Sequence, residues 1–456
     1  MTEGSYIIYT KTDEAPALGT FSLLPIVQAF TKHAGIELKE WDISLSGRII
    51  ANFPDKLTND QKIPDYLTIA GELCLDPIAN IIKLPNISAS IPQLKSAIKE
   101  LQDKGYDIPD YPDEPNNDEE KAIFDGYSKV LGSAVNPVLR EGNSDRRSST
   151  AVKEHGKRNP HKMMKDWPEI SKTRVAHMQQ GDFYGSEKSV TISSSGTGVI
   201  EFESINGDII TLKDDIKLVA DEILDCSVMN VKSLRKFYAD EMANAKSEGV
   251  LLSLHVKTTM MRISDPIIFG HCVSVYFEDL LKKHAKIFNE LGVNPDNGIA
   301  ELYTRIQALP ENQRKEIETD IENTYNVRPE LGMVNSSRGI TNFHVPSDMI
   351  IDATMPVIVR DGGQMWGPDN EQHDTIAMIP DRSYATIYQA AIEDCQKHGA
   401  FNPATIGSVS NVGLMAAQAE EYGSHNKTFK APDNGLIRVK DENGNTLMEQ
   451  PVEESD

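Results

Sequence analysis

Short β-type runs alternate with amphipathic stretches through the first part of the chain, and this alternation limits the possible folds more than any other feature. SYIIYT reads as a strand, residues 23–34 as a helix stopped by Gly35, and GIELKEWDIS as a second strand. A helix over residues 64–76 leads to IANIIKL and LPNISAS. Residues 91–104 then place Leu94, Ile98 and Leu101 on one helical face, with Gly105 at its end. Strands separated by helices predict an open, mainly parallel sheet.

Residues 107–120, rich in Pro, Asp, Asn and Glu, form a loop, and residues 150–167 are basic and polar without clear periodicity. Over residues 173–213 the pattern turns to β. SVTIS, VIEFESI and DIITLK read as strands, and Asn206-Gly207 marks a hairpin. SSSGTG at 193–198 lacks the strand-to-helix spacing of a phosphate loop and reads as a turn. Helices return over residues 228–247, 266–291, 298–324, 381–398 and 411–422. LLSLHV reads as a buried strand, and DMIIDATMP as a short strand with Asp352 at its end. DGGQMWGPDN, with Gly362-Gly363, reads as a turn-rich loop, and the last segment as a hairpin around ENGN. The division this suggests is a first α/β domain over residues 1–145 and a second, with hairpin insertions, over residues 146–456.

The 456-residue length favours two or more domains. With 46 Lys+Arg against 69 Asp+Glu the formal charge is −23, which argues against a nucleic-acid or anionic-membrane partner. No apolar run approaches the roughly 20 residues of a membrane span, and MTEGSYIIYTKTDE lacks a signal-peptide core. Cys74, Cys226, Cys272 and Cys395 are far apart without metal or redox spacing, so buried, reduced thiols in a cytoplasm are expected.

An anionic ligand of so acidic a chain needs a local basic cluster, and residues 127–149 supply one: Arg140, Arg146 and Arg147 stand among Ser133, Asn136, Asn143 and Ser144. Guanidinium forks match carboxylates two bonds at a time. Pro137 suits a first helical turn, so Asn136 is expected to cap a helix whose positive end favours an anion. The stretch therefore reads as a polycarboxylate pocket; the competing reading is a solvated, ion-paired loop. Ligands of open α/β sheets bind beyond the carboxyl ends of strands, which selects Lys83 after IANII, Lys257 after LLSLHV and Asp352 after DMII. A carboxylate suits Mg²⁺ or Mn²⁺, although one alone holds such an ion poorly. None of His155, His161, His177, His255 and His271 shows paired zinc spacing, and His255 reads as a satisfied core residue or one that supports the groups touching the ligand.

IIKLPNISASIPQLKSAIKELQ, GSAVNPVLREGNSDRR, LSLHVKTTMMRISDPIIFG and VPSDMIIDATMPVIVRDGG resemble the signature segments of the monomeric NADP-dependent isocitrate dehydrogenases, and the similarity runs along essentially the whole chain. The resemblance implies a two-domain isocitrate/isopropylmalate dehydrogenase-like α/β architecture. It implies oxidative decarboxylation of isocitrate to 2-oxoglutarate and carbon dioxide, with NADP and Mg²⁺ or Mn²⁺ as cofactors, by a cytoplasmic monomer. Residue by residue, it implies that Ser133, Arg140 and Arg146 bind isocitrate and that Asn86, Ser88, Asn136 and Lys83 face NADP. Lys257 and Tyr422 match the two groups at the reacting centre, and Asp352 one metal ligand. Family members are longer than this chain. That predicts an incomplete first domain and leaves open a carboxylate-binding fragment that needs a complementary C-terminal chain.

Overall fold

The computed structural model describes residues 6–12, 17–73, 80–82, 87–89, 91–113, 115, 117–130, 132–134, 154, 158–159, 164–257, 261, 263–402 and 427–456. They divide into two compact units, one drawn from the N-terminal residues and the other from residues 162–257, 264–401 and 427–456.

In the first unit, β1 (Tyr6–Lys11) is the middle strand of a parallel sheet between β2 (Glu37–Asp42) and β3 (Ile81–Ile82), with α1 (Ala17–Ala34) crossing from β1 to β2. Ser44 caps α2 (Leu45–Asn52), its hydroxyl accepting the Gly47 N–H at 3.0 Å. α2 packs with α4 (Ile91–Asp103) and α5 (Asp118–Ser128), while α3 spans Tyr66–Leu73. Leu45, Ile49, Phe53, Leu94, Ile98, Leu101 and Tyr127 form the core between these helices. Each such side chain, fully buried, contributes about 1.5–3 kcal/mol. Asn117 caps α5, and Asp118, Glu119 and Glu120 in its first turn complement the helix dipole. β4 (Ile87–Ala89) pairs antiparallel with β5 (Gly132–Ala134), in a register that sets Ser88 opposite Ser133.

α1 exposes Phe21, Ile26 and Phe30, the last 78% exposed. Exposed apolar groups clustered on one helix favour association. Phe30→Lys is therefore expected to raise solubility while changing unfolding free energy by less than about 0.5 kcal/mol, which light scattering and urea titration measure.

The second unit holds two sheets of different construction. β6 (Arg174–Ala176), β15 (Gln372–Met378) and β11 (Leu251–Leu254) run parallel with β15 in the middle, and β14 (Gln364–Trp366) pairs antiparallel with the start of β15. Helices α7 (Val231–Glu248) and α8 (Ser264–Tyr276) pack together over this sheet through Leu234, Tyr238, Met242, Phe269, Cys272 and Tyr276. The shorter helices α9 (Glu278–Lys283), α10 (Ala285–Leu291) and α11 (Ile299–Arg305), followed by α12 (Glu311–Val327), add to the same core. β12 (Met333–Asn335) and β13 (Ile340–Thr341) form a small hairpin.

The other sheet is wholly antiparallel, in the order β17 (Thr446–Val452), β16 (Gly435–Asp441), β8 (Gly196–Ser204), β9 (Ile209–Leu218). The expected hairpin joins β8 to β9, with Gly207 at φ +87°, a conformation open to glycine at no steric cost. Lys440–Glu201 (2.6 Å) and Arg438–Glu449 (3.1 Å) pair charges across this sheet. β7 (Lys188–Thr191) and β10 (Ile223–Cys226) form a separate antiparallel pair, and α6 (Phe183–Ser186) is a single turn.

Over the whole chain the sheets are mixed: the alternating first part forms the parallel sheet β2–β1–β3, and the stretches read as β over residues 173–213 and as a hairpin around ENGN form antiparallel pairs. The central strand, β15, falls in residues 372–378, to which the sequence reading assigned no element. One expectation is corrected. DMIIDATMP is not a strand: after an isolated bridge at Ile350 the chain enters α13 (Ile351–Arg360). Burial of Ile351, Met355, Ile358 and Val359 gives that segment helical spacing, and Asp352 lies in its first turn. α14 (Arg382–His398) begins after Asp381 and ends at Gly399, as its sequence predicts.

A lysine–aspartate pair at the carboxyl end of the parallel sheet

Registers Arg174–Ala176 with Ile376–Met378, and Leu251–Leu254 with Thr375–Met378, bring the carboxyl ends of β6, β15 and β11 side by side. Beyond β11 the chain is stitched to the segment before α13. The Val256 N–H donates to Met349 O at 3.0 Å, and the Ile351 N–H to Val256 O at 3.0 Å. The next residue on each segment is therefore held abreast of the other: Lys257 and Asp352. Lys257 Nζ donates to Asp352 Oδ2 at 2.5 Å although the two lie 95 residues apart. The lysine side chain is 10% exposed and the aspartate 61%, so the pair offers its carboxylate to solvent and shields its ammonium.

Two neighbours fix the lysine further. The Tyr384 ring, from α14, lies with its centroid 5.0 Å from Nζ, a cation–π contact. The Lys257 backbone N–H donates to Asp265 Oδ2 at 2.5 Å. Burial pushes the Asp265 carboxyl up to about 7, the Lys257 N–H opposes that rise, and nearby Asp381 adds to it. Burial likewise raises the Asp381 carboxyl, despite the N–H groups of Tyr184 and Ser383 that it accepts. Burial holds the Tyr384 hydroxyl well above its ordinary value, with Asp265, Asp381 and Asp352 reinforcing the effect, so it remains a neutral phenol.

The Asp265 shift has a definite sign. Its native value exceeds the unfolded one, so between about pH 4 and pH 7 the folded chain binds a proton that the unfolded chain has lost. Its contribution is whole below the unfolded value and is lost as pH rises through about 7. Three pKa units correspond to about 4 kcal/mol. An asparagine keeps the acceptor for the Lys257 N–H but buries an amide NH₂, which offsets roughly half of that gain. Asp265→Asn is expected to be about 2 kcal/mol less stable than the native chain near pH 4 and about 2 kcal/mol more stable near pH 8, as read by urea unfolding at both values.

Next to this pair, Asp182 is fully buried and receives the Arg382 backbone N–H at 3.0 Å, Nε at 2.8 Å and Nη2 at 2.6 Å. It also caps the Phe183–Ser186 turn through the Gly185 N–H. Burial works to raise its carboxyl, but the Arg382 bonds outweigh this and hold it below the usual carboxylate range.

Of the sequence-derived candidates, Lys257 and Asp352 meet directly. Ser88 and Ser133 meet as backbone neighbours in register. Lys83, Asn86, Asn136, Arg140, Arg146 and Tyr422 lie outside the described residues, as do His155 and His161. His255 is the satisfied core residue expected, bonded at both ring nitrogens. Gly362 and Gly363 form a turn at φ +75° and +81°, and a Cβ on Gly362 would come within 2.8 Å of Asp166 O. Cys272 and Cys395 are buried free thiols, whereas Cys226 is half-buried. Asp265, Asp381 and Tyr384 are additions that the sequence reading lacked.

The family described as monomeric isocitrate dehydrogenase matches residues 6–456. The chain belongs to the monomeric isocitrate dehydrogenase family. It is 58% identical over 450 residues to the NADP isocitrate dehydrogenase of Azotobacter vinelandii, covering 99% of this chain and 61% of that protein. It is 56% identical over 455 residues to NADP isocitrate dehydrogenase 2 of Colwellia maris, covering 100% and 61%. It is 51% identical over 451 residues to that of Mycobacterium tuberculosis, covering 99% and 60%. The chain thus spans about three fifths of the length of these curated relatives.

In this member of the monomeric isocitrate dehydrogenase family, Asp352 presents a solvent-facing carboxylate oxygen, the hard donor type that Mg²⁺ or Mn²⁺ prefers. Among the described residues the one group of three ligand-type side chains is His284, Glu316 and Asp320. That group is already neutralised: Lys283 Nζ reaches Asp320 at 2.6 Å and Glu316 at 3.3 Å, and His284 Nε2 reaches Asp320 at 2.6 Å. It reads as an ion-pair network between helices. Among the described residues no helix is long and apolar enough to cross a membrane.

Proposed function

We propose that this chain serves the NADP-dependent oxidative decarboxylation of isocitrate to 2-oxoglutarate and carbon dioxide. The observation that carries the proposal is the shielded Lys257 ammonium against the solvent-facing Asp352 carboxylate, beyond the strands of a parallel sheet, in a chain of this family. NADP and Mg²⁺ or Mn²⁺ are the cofactors of this reading, and isocitrate its substrate.

In this reading Arg140 and Arg146, with Ser133, grip the substrate carboxylates, and their planar forks orient the molecule. Asn86, Ser88, Asn136 and Lys83 line the NADP side. Asp352 contributes one oxygen ligand to the metal, which when bound supplies charge stabilisation at the reacting oxygens. Lys257, as the neutral amine left once its ammonium has given a proton to solvent, takes the proton of the substrate hydroxyl at Nζ. The carbon bearing that hydroxyl gives its hydride to NADP and becomes a ketone. The carbon–carbon bond to the adjacent carboxylate then breaks, its electron pair forming an enolate as carbon dioxide leaves. Tyr422 delivers the proton that completes 2-oxoglutarate. The three-carboxylate substrate accounts for several arginines in one stretch better than a malate-like diacid does.

The two compact units, the second of which begins at residue 162, support a two-domain isocitrate/isopropylmalate dehydrogenase-like architecture. The free thiols Cys226, Cys272 and Cys395 suit a reducing compartment such as the cytoplasm, and the family's description suits a monomer. The test is absorbance of NADPH formed from isocitrate, NADP and Mn²⁺. Turnover that requires all three supports the proposal, and its absence with the purified chain refutes it.

A further inference from the structure

Beneath the Lys257–Asp352 pair runs a buried polar string. His255 has no solvent exposure. Its Nε2 lies 2.8 Å from Ser253 Oγ, and its Nδ1 lies 2.7 Å from Thr354 Oγ1. Thr354 Oγ1 also lies 3.0 Å from Ile350 O. Each ring nitrogen therefore faces one hydroxyl, a group able to donate or to accept. Ser253 Oγ also lies 3.2 Å from Thr375 Oγ1 on β15, which ties the string to the middle strand. Burial pushes the imidazole down to about 3, so the ring stays neutral over the physiological range.

The placement of this string carries the inference. His255 precedes Lys257 by two residues at the end of β11, and Thr354 follows Asp352 by two residues in the first turn of α13. The His255–Thr354 bond therefore spans the same two elements as the ion pair, one layer deeper. We infer that His255 is a positioning residue whose bond to Thr354 sets the separation of Lys257 from Asp352. The assignment rests on the reading of that pair as part of the reacting centre. An imidazole suits the task because it offers one donor and one acceptor at opposite sides of a rigid ring, without placing a second cation under Lys257.

Three measurements on the full chain test it. Long-range ¹⁵N–¹H NMR is expected to show His255 neutral, in one tautomer, and not titrating between about pH 5 and pH 9. A titrating ring, or a mixture of tautomers, would overturn the assignment. Thr354→Val keeps the shape and removes the hydroxyl that bonds the ring. Its kcat is expected to fall roughly 10–100-fold with little change in KM for isocitrate, and Thr354→Ser is expected to restore it. A valine variant as fast as the native chain, or a serine variant as slow as the valine one, would overturn the inference. A crystal structure of Thr354→Val should show Nζ and Asp352 parted beyond hydrogen-bond reach, whereas an unchanged contact counts against positioning. If the native chain shows no turnover, the functional proposal fails, and the titration and separation measurements still decide the role of His255.

Discussion

Replacing Lys257 with methionine removes roughly a thousandfold of isocitrate turnover while isocitrate binding changes by less than about tenfold, because proton transfer by a positioned group is worth about 10²–10⁴ in rate. The comparison that isolates the proton is Lys257→Arg. An arginine can still pair with Asp352 and stack on Tyr384, but it keeps its charge at any working pH and relays no proton. Both variants should therefore be slow, with the Asp352 carboxylate paired in the arginine variant and released in the methionine one. Steady-state NADPH formation gives the rate, and calorimetric titration gives the isocitrate affinity. An arginine variant with native kcat would assign Lys257 to charge pairing alone and remove it from the chemistry.

Loss of the Asp182 carboxylate should cost about 3–5 kcal/mol of stability, the range for breaking a buried, hydrogen-bonded charge pair. Asp182→Ala strands the Arg382 guanidinium and leaves the Arg382 and Gly185 backbone donors without their acceptor. The affected elements are the start of α14 and the turn after β6, which flank the Lys257–Asp352 pair. The linkage also has a direction. The Asp182 carboxyl is depressed in the folded state, so its contribution is present above the unfolded value near 3.8 and fades as pH falls below it. Urea unfolding should show the alanine penalty near pH 7 and a smaller one in acid. A penalty under about 1 kcal/mol at neutral pH would mean that water replaces the carboxylate.

Local chemistry was legible in the sequence wherever it acts within a few residues. Asn206-Gly207 announced the β8–β9 hairpin, Gly35 and Gly399 announced helix ends, and Leu94, Ile98 and Leu101 announced a buried face. Lys257 was found because LLSLHV is mostly apolar and ends at a charged residue. Asp352 was found for the wrong structural reason. IIDATMPVIV is rich in β-branched residues and contains Pro356, which hides the helical spacing of Ile351, Met355, Ile358 and Val359. β15 stayed hidden because it starts with Gln372, His373 and Asp374, and a short apolar remainder does not distinguish strand from helix. Asp182, Asp265 and Tyr384 lay out of reach because their importance arises only when distant segments meet. Asp182 and Arg382, for example, stand 200 residues apart.

The pairing of β11 with β15 also sets a clock on biogenesis. Leu251 O waits for the Thr375 hydroxyl, 124 positions downstream. At about 5–20 residues per second on the ribosome, that wait is roughly 6–25 s, during which the emerging LLSL segment has no neighbour on that side. Long-range parallel pairing is slow in free solution too. Newly made chains should consequently be clients of holding chaperones until β15 emerges, and yield after dilution from denaturant should drop as protein concentration rises.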